Sequence, residues 1–344
     1  MLTQEEILEI RGLLESAVNP LFYFDNDQDG LSSYLLLKRF IGKGNGVPVK
    51  TSPLDMNYFR RVNEFDPDIV FILDQPTVSI EFFKALEERG QKVVWIDHHE
   101  IDLETIPSWI KYYNPLYNKM HENNPVTFLC YQITNRKEDS WIAIAGCIAD
   151  KYVPNYYSEF LKDYPDLGIV SNDAFEIFYN SSIGKISRMM GAGLKDRTTN
   201  VIAMIRFLIS AKSPYEVLEE KRENKTMHKR FNSIDSKFKK LISKAKENIS
   251  GEKVLFFQYS GETSMSADIA NKLSYLYPDK YIIVAFIRGA RVNLSIRGKN
   301  SREVSAKAIS EFPLSTSGGH KDAVGAQLNS DEVLKFVENF KKLI

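Results

Sequence analysis

Short apolar runs alternate with longer amphipathic stretches through the first 150 residues. Leu21-Phe-Tyr-Phe24, Ile69-Val-Phe-Ile-Leu73 and Val93-Val-Trp-Ile96 hold no charged position, as expected of strands buried on both faces. Between them, Leu31 to Ile41 and Ile80 to Arg89 read as helices, with Ser32 and Ser33 in the first turn of the former. Thr3 to Glu15 reads as an opening helix, with Thr3 as N-cap and Glu6 at the capping-box position. Pro20 ends this lead-in, and Gly42 to Gly46 reads as a loop. Thr127 to Gln132 and Trp141 to Ala149 are apolar and helical, closing a first domain. Strands and helices in this alternation predict βαβ units and an α/β fold around a parallel sheet.

From Ile183 to about Asn248 the pattern is all helical and increasingly basic. The run between Lys221 and Lys246 reads as a long solvated connecting helix, with a wall facing a polyanion as the alternative. After Gly251 strands return: Val254 to Phe257, Tyr281 to Phe286 and Val292 to Arg297, the last alternating with period two. Helices are expected at Ser266 to Tyr275, Ser301 to Ile309 and Val333 to Leu343. The expected domains are therefore residues 1–182, a helical connector at 183–250, and a smaller α/β domain at 251–344.

Composition alters this picture little. The chain has 344 residues, and its 45 basic and 45 acidic side chains cancel, so no global charge argues for a nucleic-acid partner. No apolar run reaches membrane-spanning length, and the acidic, helical start is unlike a signal peptide. Cys130 and Cys147 read as buried thiols in a reducing compartment, so a cytoplasmic location is expected.

Chemistry gathers where the strands end. Val93 to Ile96 runs into Asp97-His98-His99, Ile69 to Leu73 into Asp74, and Leu21 to Phe24 into Asp25, Asp27 and Asp29 before Gly30. Open α/β sheets bind ligands at the carboxyl ends of their strands. If the first acidic segment stays extended, its three carboxylates project to one side and repel, a conflict that a divalent cation removes. An EF-hand is excluded, because Leu36 stands where its twelfth-position Glu belongs and a strand precedes the loop. Asp150 ends an apolar helix that would pack on the same sheet. Carboxylates with imidazole suit Mn²⁺, and two ions roughly 3.5–4 Å apart can activate water while holding a phosphoryl oxygen. His121 and His228 read as a polar-loop residue and a solvated helix residue.

Asp25-x-Asp27-x-Asp29-Gly30, Asp74, Asp97-His98-His99 and Gly146-Cys-Ile-Ala-Asp150 resemble, in order, the four motifs of the DHH phosphoesterases. Ser317-Gly-Gly-His320-x-x-Ala-x-Gly325 resembles the glycine motif of the DHHA1 domain that often follows, and Val292 to Gly298 its preceding strand. The first motif is closest to RecJ-like nucleases, although the length is that of the compact oligonucleotide-cleaving group. The resemblance implies two Mn²⁺ ions, or Mg²⁺ in their place, held by Asp27, Asp29, Asp74, His98 and Asp150. It implies that His99 stands near the scissile phosphate, that Asp25 and Asp97 orient ligands, and that Arg297, Ser295, Gly318, Gly319 and His320 meet substrate. Gly318, Gly319 and His320 would do so as an anion nest, and Arg288 and Arg291 are weaker candidates.

The implied function is hydrolysis of single-stranded DNA or RNA ends or of short oligonucleotides. Oligoribonuclease or pAp phosphatase action and cyclic-dinucleotide hydrolysis are alternatives on the same centre. A catalytically weak RecJ/Cdc45-like subunit binding replication proteins is the non-enzymatic alternative. Two positions depart from the family pattern. Tyr23 stands where many relatives have a metal-binding histidine, which weakens one ion's expected hold, and Ser317 stands where a third glycine is common.

Overall fold

The computed structural model describes residues 1–344, except for the side chain of His320, so the role expected of that imidazole lies outside it. The chain divides into two compact units, Met1–Phe231 and Asn232–Ile344.

The first unit opens with α1 (Gln4–Ser16), β1 (Leu21–Asp25), α2 (Gln28–Ile41), β2 (Asn45–Val49), α3 (Met56–Phe65), β3 (Ile69–Leu73), α4 (Ile80–Glu88), β4 (Lys92–Ile96) and β5 (Lys111–Tyr113). It continues through α5 (Val126–Thr134), α6 (Ser140–Ala149), α7 (Tyr157–Asp163), α8 (Ala174–Asn180), α9 (Ser182–Leu194), α10 (Thr198–Ser210) and α11 (Pro214–Leu218). The five strands are parallel, in the order β2-β1-β3-β4-β5. The order reverses between β1 and β3, so their carboxyl ends flank the crevice where such sheets bind ligands.

Strand parity distributes the core. Leu21, Tyr23, Val70, Ile72, Val93 and Trp95 face one way and pack with Val62 of α3 and Phe82, Phe83 and Leu86 of α4. Phe22 stacks on Phe71 at 5.1 Å between centroids, and Phe24 on Tyr34 of α2 at 4.9 Å. That second face lies under α2, and α2 packs on α5 and α6. The capping box at Thr3 and Glu6 forms as expected.

Two local readings change. Residues 45–49, expected to lie in or beyond a loop, form the edge strand β2, where Pro48 is tolerated because an edge residue need not donate to the ladder. Helix α2 begins at Gln28 rather than Leu31, with Asp27 as its N-cap accepting from Gly30 N–H at 2.9 Å. The first acidic segment is thus not extended throughout. Asp25 ends the strand, Asp27 caps the helix and Asp29 lies in its first turn.

Gly30 is fixed by this turn, since a Cβ there would stand 2.4 Å from Asp25 O and 2.6 Å from Asp25 N. Gly30→Ala should destabilise the chain by at least about 2 kcal/mol, because the blocking atoms are backbone and cannot rotate away. Urea denaturation should show a lowered midpoint at unchanged slope.

The segment 183–250 is largely helical but is shared between the units. Helices α9, α10 and α11 belong to the first, and α12 (Lys225–Glu247) runs across the boundary. His228 of α12, expected on a solvated face, is instead buried, with its Nε2 2.9 Å from Val217 O of α11. The second unit then holds β6 (Val254–Ser260), α13 (Ser266–Leu276), β7 (Tyr281–Arg288), β8 (Arg291–Arg297), α14 (Ser301–Ile309), β9 (Thr316–His320), β10 (Ala323–Asn329) and α15 (Val333–Lys342). Its mixed sheet has the order β6-β7-β8-β10-β9, with only β6 and β7 parallel. Val292, Leu294 and Ile296 pack with Ala308 and Ile309 of α14 and Phe336 and Phe340 of α15. No helix among the described residues is long and apolar enough to cross a membrane.

Candidate metal centre

The carboxyl ends of β1, β3 and β4 bring Asp25, Asp27, Asp29, Asp74, Asp97, His98 and His99 together, and the end of α6 adds Asp150. Ligand atoms in each of three groups lie within 4.8 Å of one another: Asp25, Asp27 and Asp74; Asp29, His98 and Asp150; Asp74, His98 and His99. Asp74 belongs to two of the groups and His98 to two, so the set is one continuous centre. The grouping also places Asp25 on equal terms with Asp27, whereas it was expected only to orient ligands.

Each side chain is positioned by local structure. Asp74 follows β3 in the left-handed region at φ 58°, with its N–H bonded to Ile96 O at 3.0 Å. An Asp tolerates that conformation better than most residues, but it remains a strained choice for a strand end. Its Oδ1 is buried without a hydrogen bond, with His98 Nε2 3.4 Å and His99 Nδ1 3.9 Å away. Both oxygens of Asp29 accept from α5: Val126 N–H at 2.9 Å on Oδ2 and Thr127 N–H at 2.7 Å on Oδ1. Asp29 thereby caps a helix whose own N-cap, Pro125, supplies no side-chain bond. Each carboxylate oxygen has a second lone pair, so capping leaves room for a cation.

Asp150 reaches the centre because α6 lies close on α2 and α5. A Cβ at Gly146 would stand 2.3 Å from Thr127 Oγ1 and 2.7 Å from Ser32 Cβ. His98 is held between Asn123 Oδ1, 2.9 Å from its Nδ1, and the acids facing its Nε2, with Asp150 Oδ2 at 3.8 Å. His99 Nδ1 bonds Asp97 Oδ1 at 2.8 Å, and Asp97 is fully buried. Asn114 donates to His99 O at 2.9 Å, and Gln75 Nε2 to Asp25 Oδ1 at 3.0 Å.

Asn123, Asn114 and Gln75 are absent from the expected site. Nothing marks them in sequence, since each lies in an irregular segment and acts across the fold. Asn123 matters most, because an Asn amide oxygen can only accept, so Nδ1 of His98 carries the proton and Nε2 is left for a ligand. Asn123→Leu should weaken Mn²⁺ binding about 10- to 100-fold in calorimetric titration while leaving the fold intact.

The electrostatics fit a bound cation. Burial, then the charge of Asp27, pushes the Asp25 carboxyl up to about 7. Asp27 is an exposed residue whose carboxyl turns towards the other acids, and lost hydration of that carboxyl and then Asp29 push it up to about 6. Burial and neighbouring acids also raise Asp29 and, more strongly, Asp74. Burial alone would lower His98, but Asp74, whose Oδ1 lies 3.4 Å from its Nε2, and the charges of Asp150 and Asp29 hold it well above the ordinary imidazole value. Crowded acids that resist ionisation, with a buried oxygen lacking a hydrogen bond, fit divalent cations in an oxygen-rich site with imidazole.

Tyr23 is not part of this centre. It is wholly buried among Tyr58, Phe82 and their neighbours, and its hydroxyl donates to Tyr58 O at 2.9 Å. Tyr23 therefore supplies no ligand in place of the histidine that many relatives carry at this position.

In the second unit, Ser295 donates to Ser266 Oγ at 2.9 Å, and Arg297 Nε to Asn271 Oδ1 at 2.6 Å. Ser295 lies opposite Gly325, which lies opposite Gly318, so the three form a row across β8, β10 and β9. Gly318 and Gly319 thus belong to an edge strand, not to the expected nest of successive turn residues, although Gly319 has φ +135°. His320 is opposite Ala323 by backbone register. Arg288 and Arg291 face each other at the β7–β8 turn, where Arg291 Nη1 bonds Gln327 Oε1 at 3.1 Å.

Residues 21–150 match the family model for the DHH family, N-terminal domain. A sequence comparison with curated proteins finds no match. Among solved structures, the chain is similar to RecJ from Thermus thermophilus in complex with Mn²⁺, with TM-score 0.72 and 16% identity over 99% of this chain and 55% of that one. It is similar to an exonuclease RecJ bound to manganese, with TM-score 0.67 and 17% identity over 99% and 95% of the two chains. CDC45 from Entamoeba histolytica follows at TM-score 0.58 and 11% identity, with 98% of each chain covered. The chain spans about half the length of the Thermus protein, and at these identities the likeness is one of fold. Residues 21–150 thus carry the N-terminal domain of the DHH family, and the chain as a whole has a RecJ-like fold.

Proposed function

We propose that this chain is a Mn²⁺-dependent phosphodiesterase that hydrolyses single-stranded DNA or RNA ends or short oligonucleotides. The observation that carries the reading is the overlap of the three ligand groups through Asp74 and His98 at the sheet's switch point. A scaffold that only binds partners has no need of crowded acids that repel one another, which favours an enzyme over a replication subunit. Asp25, Asp27, Asp29, Asp74, His98 and Asp150 would hold two cations, with Mn²⁺ preferred over Mg²⁺ because of the imidazole. Such ions would supply Lewis acidity toward a phosphoryl oxygen and toward the attacking water.

The chain's own groups do the rest. Asp97 orients His99 through Nδ1, and His99 is the proposed proton donor to a phosphate or leaving oxygen. Asp29 ties the centre to α5 and fixes its spacing. In the second unit, Arg297, Ser295, Gly318, Gly319 and His320 are the proposed phosphate contacts, with Asn271 and Ser266 steadying the first two.

The test is hydrolysis of 5′- and 3′-labelled single-stranded DNA and RNA of graded length, with Mn²⁺, with EDTA, and with Asp150→Ala. Manganese-dependent shortening that the substitution removes is the expected result, and the label then gives polarity. Preference for the shortest strands, or for pAp or a cyclic dinucleotide, would move the substrate to the oligoribonuclease or cyclic-dinucleotide class. No turnover of any of these would sink the enzymatic reading in favour of a replication partner.

A further inference from the structure

Helix α12 carries a charge pattern that the metal centre does not use. Met227, Phe231, Ile234, Ile242 and Ala245 are buried and recur on one side of the helix. At helical spacing the opposite side carries Lys225, Lys229, Ser233, Lys237, Lys240 and Lys244, and all these lysines are exposed. The row from Lys229 to Lys244 is about 22 Å long, at the rise of an α-helix.

Three observations separate this face from an ordinary solvated one. First, it is unneutralised: Asp235 is taken by Lys239 at 2.7 Å, and Lys229, Lys237, Lys240 and Lys244 form no ion pair among the described residues. Helix α14, by contrast, sets Glu303 one turn before Lys307 and pairs them at 2.7 Å. Second, Lys225 and Lys229, Lys237 and Lys240, and Lys240 and Lys244 are neighbours at helical spacing, so like charges repel along the row. A chain whose 45 basic and 45 acidic residues cancel overall has concentrated one sign here. Third, Thr226, Asn232, Ser233, Ser236 and Ser243 lie between the lysines, without an aromatic or large apolar residue. A membrane-surface helix inserts its apolar side, but that side of α12 is buried within the protein. A flexible phosphate backbone needs only charge and small polar groups.

We propose that this lysine face of α12 binds the backbone of single-stranded nucleic acid and holds polymer substrates on the protein. The choice of polyanion rests on the nuclease reading above, whereas the surface itself rests on charge alone. Affinity should therefore rise with strand length, and the gain should reside in these lysines.

The experiment uses the full chain in EDTA, where no turnover is needed, and follows the anisotropy of a labelled single strand across a range of KCl. The probe variant combines Lys229→Gln, Lys237→Gln, Lys240→Gln and Lys244→Gln. For a strand of about thirty nucleotides, its slope of log affinity against log salt should be shallower by about 3, with affinity at least about tenfold lower. A control with Lys84→Gln, Lys92→Gln, Lys162→Gln and Lys342→Gln should keep the wild-type slope, and both variants should melt as the wild type does. Dinucleotide hydrolysis with Mn²⁺ should be unchanged in the α12 variant.

An unchanged slope, an equal loss in the control, no strand binding by the wild type, or binding to phosphatidylserine vesicles instead of strands would overturn the proposal. So would an equal loss of dinucleotide turnover, which would mean a disturbed metal centre. Failure of the nuclease reading appears separately, as absent hydrolysis by the wild type alongside intact, lysine-dependent strand binding.

Discussion

Asp74→Asn should reduce phosphodiester hydrolysis at least about a thousandfold, which is about 4 kcal/mol of transition-state stabilisation. It should also abolish tight Mn²⁺ binding without harming the metal-free fold. Asp74 is the acid common to the Asp25–Asp27 group and the His98–His99 group, so its loss removes a ligand from both. Asn is the informative replacement because it tolerates the left-handed backbone at φ 58° nearly as well as Asp does. Its N–H can still bond Ile96 O, so the β3–β4 junction should remain.

The stability arm runs opposite to the activity arm. Metal-free, burial and then the charges of Asp29 and Asp27 raise the Asp74 carboxyl well above the ordinary range. A neutral Asn carries none of the cost of ionising a carboxyl there and should leave the melting temperature in EDTA unchanged or raised. With Mn²⁺ present the order should reverse, since only the wild type gains binding free energy. Calorimetric titration, hydrolysis and thermal melts in both conditions check the three arms. A variant that unfolds in EDTA would show that Asp74 is structural rather than a cation ligand.

Much of this centre was legible because buried strands rarely end on acids and imidazoles. Ile69 to Leu73 and Val93 to Ile96 end at one edge of a parallel sheet, which places Asp74 and Asp97 to His99 side by side before any coordinate is known. The conformation of the first motif is not legible in the sequence, because alternating acids imitate a strand. Asp27 is also an N-cap, and Gly30, three residues on, donates to it, so the helix starts earlier than apolar spacing indicates. Asp29 then caps α5 from a distance of 97 residues, which no local pattern announces. Asn123 and Gln75 were illegible for the same reason, being neutral amides that act across 25 and 50 residues. Tyr23 was judged by the position of a family histidine, but its ring belongs to the core under α3 and α4. The glycine motif suggested a turn, yet its backbone pairs along β10 as a strand. Strand pairing there is decided by β10, whose own alternation was hidden by Gly325.

The metal-free protein should lose stability as pH rises from about 5 to about 8, and Mn²⁺ should cancel that loss. In the folded chain lost hydration and the acids around them push the Asp25 carboxyl up to about 7 and that of the exposed Asp27 up to about 6. In the unfolded chain both would titrate near about 4. Between those values the folded state binds more protons than the unfolded state, so stability falls as pH climbs and is lowest above the folded values. His98 acts in the same sense, because its raised folded value keeps a proton that the unfolded imidazole releases above about 6.5. Asp68 and Glu9, held below their ordinary values, act in the opposite sense but only in more acidic solution, outside this window. Thermal melts in EDTA should therefore fall by several degrees across the window, at about 2–4 °C per kcal/mol for a domain near this size. Cations bind the deprotonated acids, so saturating Mn²⁺ should raise the melting temperature more at pH 8 than at pH 5.5, with protons released on binding. Calorimetry in two buffers of different ionisation enthalpy counts those protons. A flat or rising EDTA profile, or binding without proton release, would mean that the acids are already ionised in the empty centre and that their crowding is relieved by water.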